Sequence, residues 1–232
     1  MTLQSGRLAP MRAGQQPIWP LDRALLIKAA IICWLMFIVI LLLMMTGKTQ
    51  QIDVLGLQWW RAGPELALSG PTWLATAARD ITSLGSALLG SLVSCAAAAI
   101  LIALQVRRDA VVLLFTVVTG WIFNNILKAI IGRPRPDIVP HLTAETGLSF
   151  PSGHSFTAAA VYIAIALAFM SLSARPSMHR VMIGTAIVLS LIIALSRVIL
   201  GVHYPSDITA GWFAGAAWAL TIKAISLRSP KH

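Results

Sequence analysis

The chain has 232 residues, of which 57% are hydrophobic and only 11% charged, with a formal net charge of +10. A soluble domain carries roughly a quarter charged residues, so that class is excluded, and no separate soluble domain fits beside the apolar stretches. The positive charge would suit a nucleic-acid partner, but it is placed between apolar runs as membrane topology requires, and nucleic-acid binding is set aside.

In chain order, residues 1–22, rich in Pro, Gly, Gln and Arg, read as a flexible tail. Runs of about 20 apolar residues mark membrane spans, and six occur, at about 24–46, 84–105, 110–131, 154–173, 181–200 and 207–226. They predict an all-α bundle of six transmembrane helices over residues 23–228. The first run is longer than a signal-peptide core and no small-residue cleavage pattern follows it, so it reads as retained. Cys33 and Cys95 lie inside the first two runs and read as small apolar residues. No Cys/His cluster has zinc spacing. Residues 47–83 form the longest connection and mix Leu55, Leu57, Trp59 and Trp60 with Gln58 and Arg61. This predicts one or two short interfacial helices, acting either as a packed surface loop or as a substrate gate. Gly85, Gly90, Gly211 and Gly215 fall within apolar runs and read as helix-packing contacts.

The basic residues fix an orientation. With the N-terminus inside, Arg7, Arg12, Arg23, Lys28, Arg107, Arg108, Arg175, Arg180, Lys223, Arg228 and Lys231 are cytoplasmic. Lys48, Arg61, Arg79, Lys128, Arg133, Arg135 and Arg197 lie opposite. That excess favours both termini in the cytoplasm. The loops after the first, third and fifth runs then share the outer face.

Three polar segments converge there: Lys128-x6-Arg135-Pro136, Pro151-Ser152-Gly153-His154, and Ser196-Arg197-x5-His203-x3-Asp207. Ionisable groups at a bilayer are costly, so their clustering marks a functional site. Taken singly, each has an ordinary explanation. Lys128 suits a snorkelling anchor, Ser152 a helix cap with His154 incidental, and Asp207 a complement to a helix dipole. Taken together they supply cations for phosphate oxygens, a helix start open to an anion, and a histidine within reach of a carboxylate in the first turn after Pro205. Arg197 near a span end would be expensive without a partner, and a bound phosphate is one.

These segments resemble the signature of the type 2 phosphatidic acid phosphatase family, and the match covers residues 128–207 without a departure. Arg133 also precedes a proline, but the family spacing selects Arg135. The resemblance implies a membrane lipid phosphatase in which His203 is the nucleophile, Asp207 orients it, and His154 is the general acid. It implies that Lys128, Arg135, Arg197, Ser152 and Gly153 hold the phosphate. The family's soluble acid phosphatase and haloperoxidase relatives are excluded by the apolar runs. No acidic cluster suited to Mg²⁺ occurs, so activity without metal or other cofactor is expected. The partner is then a phosphorylated lipid in the bilayer: phosphatidic acid, phosphatidylglycerol phosphate, an isoprenoid diphosphate such as undecaprenyl diphosphate, or a lipid A type phosphate. The compact six-span plan looks like that of a bacterial inner-membrane enzyme with its site facing the periplasm. Transfer of the phosphoryl group to another lipid, and anion transport, are the alternatives.

Overall fold

The computed structural model describes residues 22–227. The tail expected over residues 1–22 therefore lies outside the described residues except for Asp22, which caps the first helix by accepting from Ala24 N at 2.8 Å. The helices are α1 (Arg23–Met45), α2 (Gln50–Gln58), α3 (Trp73–Ser83), α4 (Ala87–Ala103), α5 (Arg107–Ile131), α6 (Gly153–Phe169), α7 (Pro176–Ile199) and α8 (Pro205–Ser226). A two-residue hairpin, β1 (Arg61–Ala62) with β2 (Ala67–Leu68), pairs Arg61 with Leu68.

Among the described residues five helices, α1, α5, α6 with its 3-10 extension to Leu172, α7 and α8, are long and apolar enough to cross a membrane. The second expected run differs. Its helix α4 has 17 residues, about 25 Å at 1.5 Å per residue and short of a bilayer core of ~30 Å. It continues from α3 through a bend of 52°, and only the two together are long enough to cross. Ser86 sits at the bend and caps α4, accepting from Leu89 N at 3.2 Å. The 47–83 connection is mostly helical, as α2 and α3, and the hairpin between them was not foreseen.

Helix α6 is central, with α4, α5, α7 and α8 around it. Its buried face is largely alanine, including Ala158, Ala159, Ala160, Ala164, Ala166 and Ala168, and such small residues let neighbouring helices approach closely. Helix α1 packs chiefly on α8 and leaves most of its surface to the surroundings. An aromatic layer beneath the polar site joins the helices, with Phe123 stacked on Trp218 at 4.6 Å and edge-on to Trp34 at 5.6 Å. At the far end Lys223 of α8 pairs with Asp109 of α5 at 2.6 Å.

Two turns set the functional end. Gly132 stops α5 at φ 68°, a left-handed conformation that glycine adopts without strain. Gly201, at φ 77°, closes the turn between α7 and α8. Arg61 holds the end of α7 there, donating to Ile199 O from both terminal nitrogens at 3.1 Å, as a cation does at a helix C-terminus. Gly211 brings α8 against α6: a Cβ there would lie 2.6 Å from Ser152 O, whereas one at Gly184 would meet nothing within 4 Å. Gly211→Ala should therefore destabilise the detergent-solubilised protein by about 1–3 kcal/mol, while Gly184→Ala should not; thermal unfolding followed by tryptophan fluorescence checks the contrast.

Candidate active site

All eight residues singled out in the sequence meet at one end of the bundle. Lys128 comes from the last turn of α5 and Arg135 from the segment after it. Ser152, Gly153 and His154 form the start of α6. Arg197 comes from the last turn of α7, His203 from the following turn and Asp207 from the first turn of α8. Arg197, His203, Asp207 and Ser152 are buried.

His203 stands at the centre. Its Nε2 lies 3.0 Å from Arg135 Nη1, and its Nδ1 lies 3.4 Å from Asp207 Oδ2 and 3.2 Å from Ser149 Oγ. A guanidinium can only donate, so Nε2 carries the lone pair and Nδ1 the proton. Asp207 Oδ2 also accepts from Tyr204 N at 3.0 Å and closely from Ser149 Oγ. Burial, opposed by Asp207, holds the His203 imidazole well below its ordinary value, at about 4, so the ring is neutral at physiological pH.

The cations ring the lone-pair side. Arg135 spans the Gly147, Thr146 and Val202 carbonyls at 3.0–3.2 Å, and Lys128 Nζ donates to Leu148 O at 2.7 Å. Glu145 carries the charge balance. One of its oxygens takes a close hydrogen bond from Arg197, and the other lies 3.3 Å from Arg135. Burial raises the Glu145 carboxyl, but Arg197, His154 and Arg135 outweigh it and hold the group below the usual carboxylate range. Arg197 Nη1 also donates to Thr82 Oγ1 of α3 at 2.8 Å. The partner found for Arg197 is thus Glu145 with Thr82.

Ser152 caps α6 by accepting from Ser155 N and Oγ at 3.4 and 3.0 Å, while its own N donates to Asp207 O at 3.0 Å. The first-turn N–H groups of Gly153 and His154 are those that a helix start leaves without intrahelical partners. The Cβ position of Gly153 lies 3.6 Å from Lys128 Cε, so backbone and ammonium share one wall. His154 is half-buried, with Arg197, Glu145, His203 and Arg135 as its electrostatic neighbours.

Sequence reasoning missed Glu145, Ser149, Thr82 and Asp53. It left Arg133 without a place; here Arg133 joins Asp207 at 2.6 Å and Asp53 at 2.8 Å. Glu145 had one available signal: it is one of two acidic residues, with Asp137, between the first motif's Arg135 and the second motif's Ser152.

Fold and site together define a polytopic helical membrane protein with a neutral histidine held between a carboxylate and a ring of cations. The profile of the PAP2 superfamily matches residues 109–230, and the chain belongs to that superfamily. It is 37% identical over 116 residues to phosphatidylglycerophosphatase B of Bacillus subtilis, covering 50% of this chain and 57% of the relative. It is 39% identical over 132 residues to lipid A 1-phosphatase of Rhizobium johnstonii, covering 53% and 50%. To decaprenylphosphoryl-5-phosphoribose phosphatase of Mycobacterium tuberculosis it is 31% identical over 160 residues, covering 67% and 81%. The chain thus spans about half the length of the first two. The crystal structure of a transmembrane PAP2 type phosphatidylglycerolphosphate phosphatase from Bacillus subtilis superposes with a TM-score of 0.76 at 27% identity, covering 85% of this chain and 95% of that one.

Arg197 is buried and relies on few acceptors, so Thr82 can be tested alone. Thr82→Val keeps the shape and removes the hydroxyl, and should cost about 1–3 kcal/mol of stability, read from denaturant or thermal unfolding in detergent.

Proposed function

We propose that the protein is a membrane lipid phosphatase that removes a phosphate from a lipid phosphomonoester or diphosphate through a phosphohistidine on His203. The observation that carries this reading is the orientation of His203: Nδ1 is committed to Asp207 and Ser149, and the Nε2 lone pair faces the cations at 3.0 Å from Arg135. A fixed tautomer of this kind makes an imidazole a nucleophile.

Substrate phosphate takes the place of the Glu145 carboxylate on Arg135 and Arg197, with Lys128 and the start of α6 holding its remaining oxygens. Nε2 attacks phosphorus, a P–N bond forms, and the bond to the lipid oxygen breaks. His154 gives that oxygen its proton. In the second step His154 takes a proton from water, the water oxygen attacks phosphorus, the P–N bond breaks, and inorganic phosphate leaves. Most of the work is charge placement around equatorial oxygens, which fixed cations supply without a metal. The lipid tails stay in the bilayer.

The relatives named above carry chemically different lipids in their names, and the site residues are assigned here to the phosphate group alone. The substrate is therefore assigned as a class: phosphatidic acid, phosphatidylglycerol phosphate, isoprenoid diphosphates and lipid A type phosphates. We read α3 and α4 as one broken span; an even number of spans leaves both termini on one side, and we assign that side to the cytoplasm and the site to the periplasmic face of a bacterial inner membrane. Asymmetry of basic residues supports that orientation.

Phosphate release from a panel of these lipids in detergent with excess EDTA tests the reading. His203→Ala should abolish release and the acid-labile phosphoenzyme, and release by the parent protein should survive EDTA. Near-normal turnover by His203→Ala would end the assignment. His154→Ala should slow lipid alkoxide leaving groups far more than nitrophenolate. Glu145→Gln should tighten inhibition by inorganic phosphate about tenfold, the scale of one charge-assisted hydrogen bond. Unchanged inhibition would mean that the carboxylate does not compete for the arginines.

A further inference from the structure

Behind His203, on the side away from Arg135 and Arg197, a second charged chain runs to helix α2. Asp207 divides its oxygens: Oδ2 serves His203, Ser149 and Tyr204, and Oδ1 accepts from Arg133 Nη1 at 2.6 Å. Arg133 Nη2 donates to Asp53 Oδ2 at 2.8 Å, and Asp53 accepts from Ser206 N and Oγ at 2.8 and 2.7 Å. The guanidinium lies over the Tyr204 ring at 4.1 Å. The Arg133 carbonyl accepts from Ser149 N at 2.8 Å, so the same residue also sets the hydroxyl that touches both His203 and Asp207.

Asp53 belongs to α2, outside all three motifs, and is 1% exposed. Burying such charges is costly unless each is paired, and among the described residues the Arg133 side chain hydrogen-bonds to Asp207, Ser206 and Asp53. None of these bonds is spent on the ring that faces substrate. Helix α2 is seated by this contact and by Gly56, where any side chain would overlap Pro205 at the start of α8. Its other face leaves Ile52, Leu55 and Trp59 exposed, the composition of a helix lying at a membrane surface.

We infer that Asp53 and Arg133 are positioning residues of the nucleophilic pair, fixing the Asp207 carboxylate and tuning the proton affinity of His203 from an interfacial helix. This rests on the reading of His203 as nucleophile. Asp207 from α8, Arg197 from α7, His154 from α6, and Arg135, Glu145 and Ser149 from the α5–α6 connection face or surround the imidazole. Arg133 acts one link further back. Asp207 and Asp53 hold the Arg133 guanidinium charged against its burial. Removing that charge leaves Asp207 more negative in effect, so His203 binds its proton more tightly.

The test is the pH profile of kcat/KM, whose acid limb reports protonation of the free enzyme. In Arg133→Met the limb should move to higher pH, and kcat should fall by up to about a hundredfold through misplacement of the pair. KM and inhibition by inorganic phosphate should change little. Arg133→Lys keeps the charge without the fork, so it should lower kcat less and leave the limb in place; it also serves if Arg133→Met does not fold. Asp53→Asn should lower kcat alone, should not move the limb up, and should add little on the Arg133→Met background. A limb that stays put in Arg133→Met while phosphate inhibition weakens would make Arg133 a phosphate ligand and overturn the inference. An equal loss at every pH would reduce the network to structural support and overturn it as well. His203→Ala in the same assay separates the two readings: retained turnover there removes the nucleophile assignment itself, whereas abolished turnover leaves that assignment standing whatever Arg133 does.

Discussion

Charge that is buried must be answered by charge, and this requirement shapes the functional end of the protein. Arg197 and Asp207 are fully buried, and Arg133, Arg135 and Glu145 are partly so. Left alone each would cost several kcal/mol. They are instead alternated: Asp53, Arg133 and Asp207 form one run, and Arg135, Glu145 and Arg197 another. His203 sits where the runs meet, touching Asp207 on one side and Arg135 on the other. The polarity of the imidazole follows from that placement, because an acceptor lies at Nδ1 and a donor at Nε2.

The remaining fold serves this alternation by fixing where the chain enters and leaves. The α7–α8 turn carries His203 and is held by Arg61, Gly201 and the Leu142 N–H, which donates to Leu200 O at 3.0 Å. Small residues on α6 and α8 let their backbones come close enough for Ser152 N to reach Asp207 O. The short helices α2 and α3, which look peripheral in the chain, supply partners for the buried cations: Asp53 for Arg133 and the Thr82 hydroxyl for Arg197. The surface segment and the functional end are therefore one structure.

Much of this was legible in the sequence. Apolar runs placed the long helices within a few residues, because a membrane span needs little more than length and greasiness. Pro205 placed Asp207 in a first turn, and Ser152 placed the start of α6. The eight motif residues were legible because their types and spacing are constrained jointly. The second run was misjudged in shape: hydropathy does not register the bend at Leu84–Ser86, and α3 carries its polar residues at helical rather than continuous spacing. Asp53, Thr82, Ser149 and Glu145 were not legible for a different reason. Each is one ordinary polar residue whose meaning comes only from a distant partner, as when Asp53 meets Ser206 across 153 positions.

Glu145 has a consequence for life in salt water. Facing Arg135 and Arg197, it gives the cationic pocket a resident counter-ion. An anion must displace a covalently tethered carboxylate before it can occupy those arginines. Chloride, with one diffuse charge and no second oxygen to fill the fork, is a poor competitor for a guanidinium. A dianionic phosphate offers more charge and the matching geometry. The tether thus sets a threshold of charge and shape, and keeps the pocket from being titrated by the most abundant small anions of its surroundings.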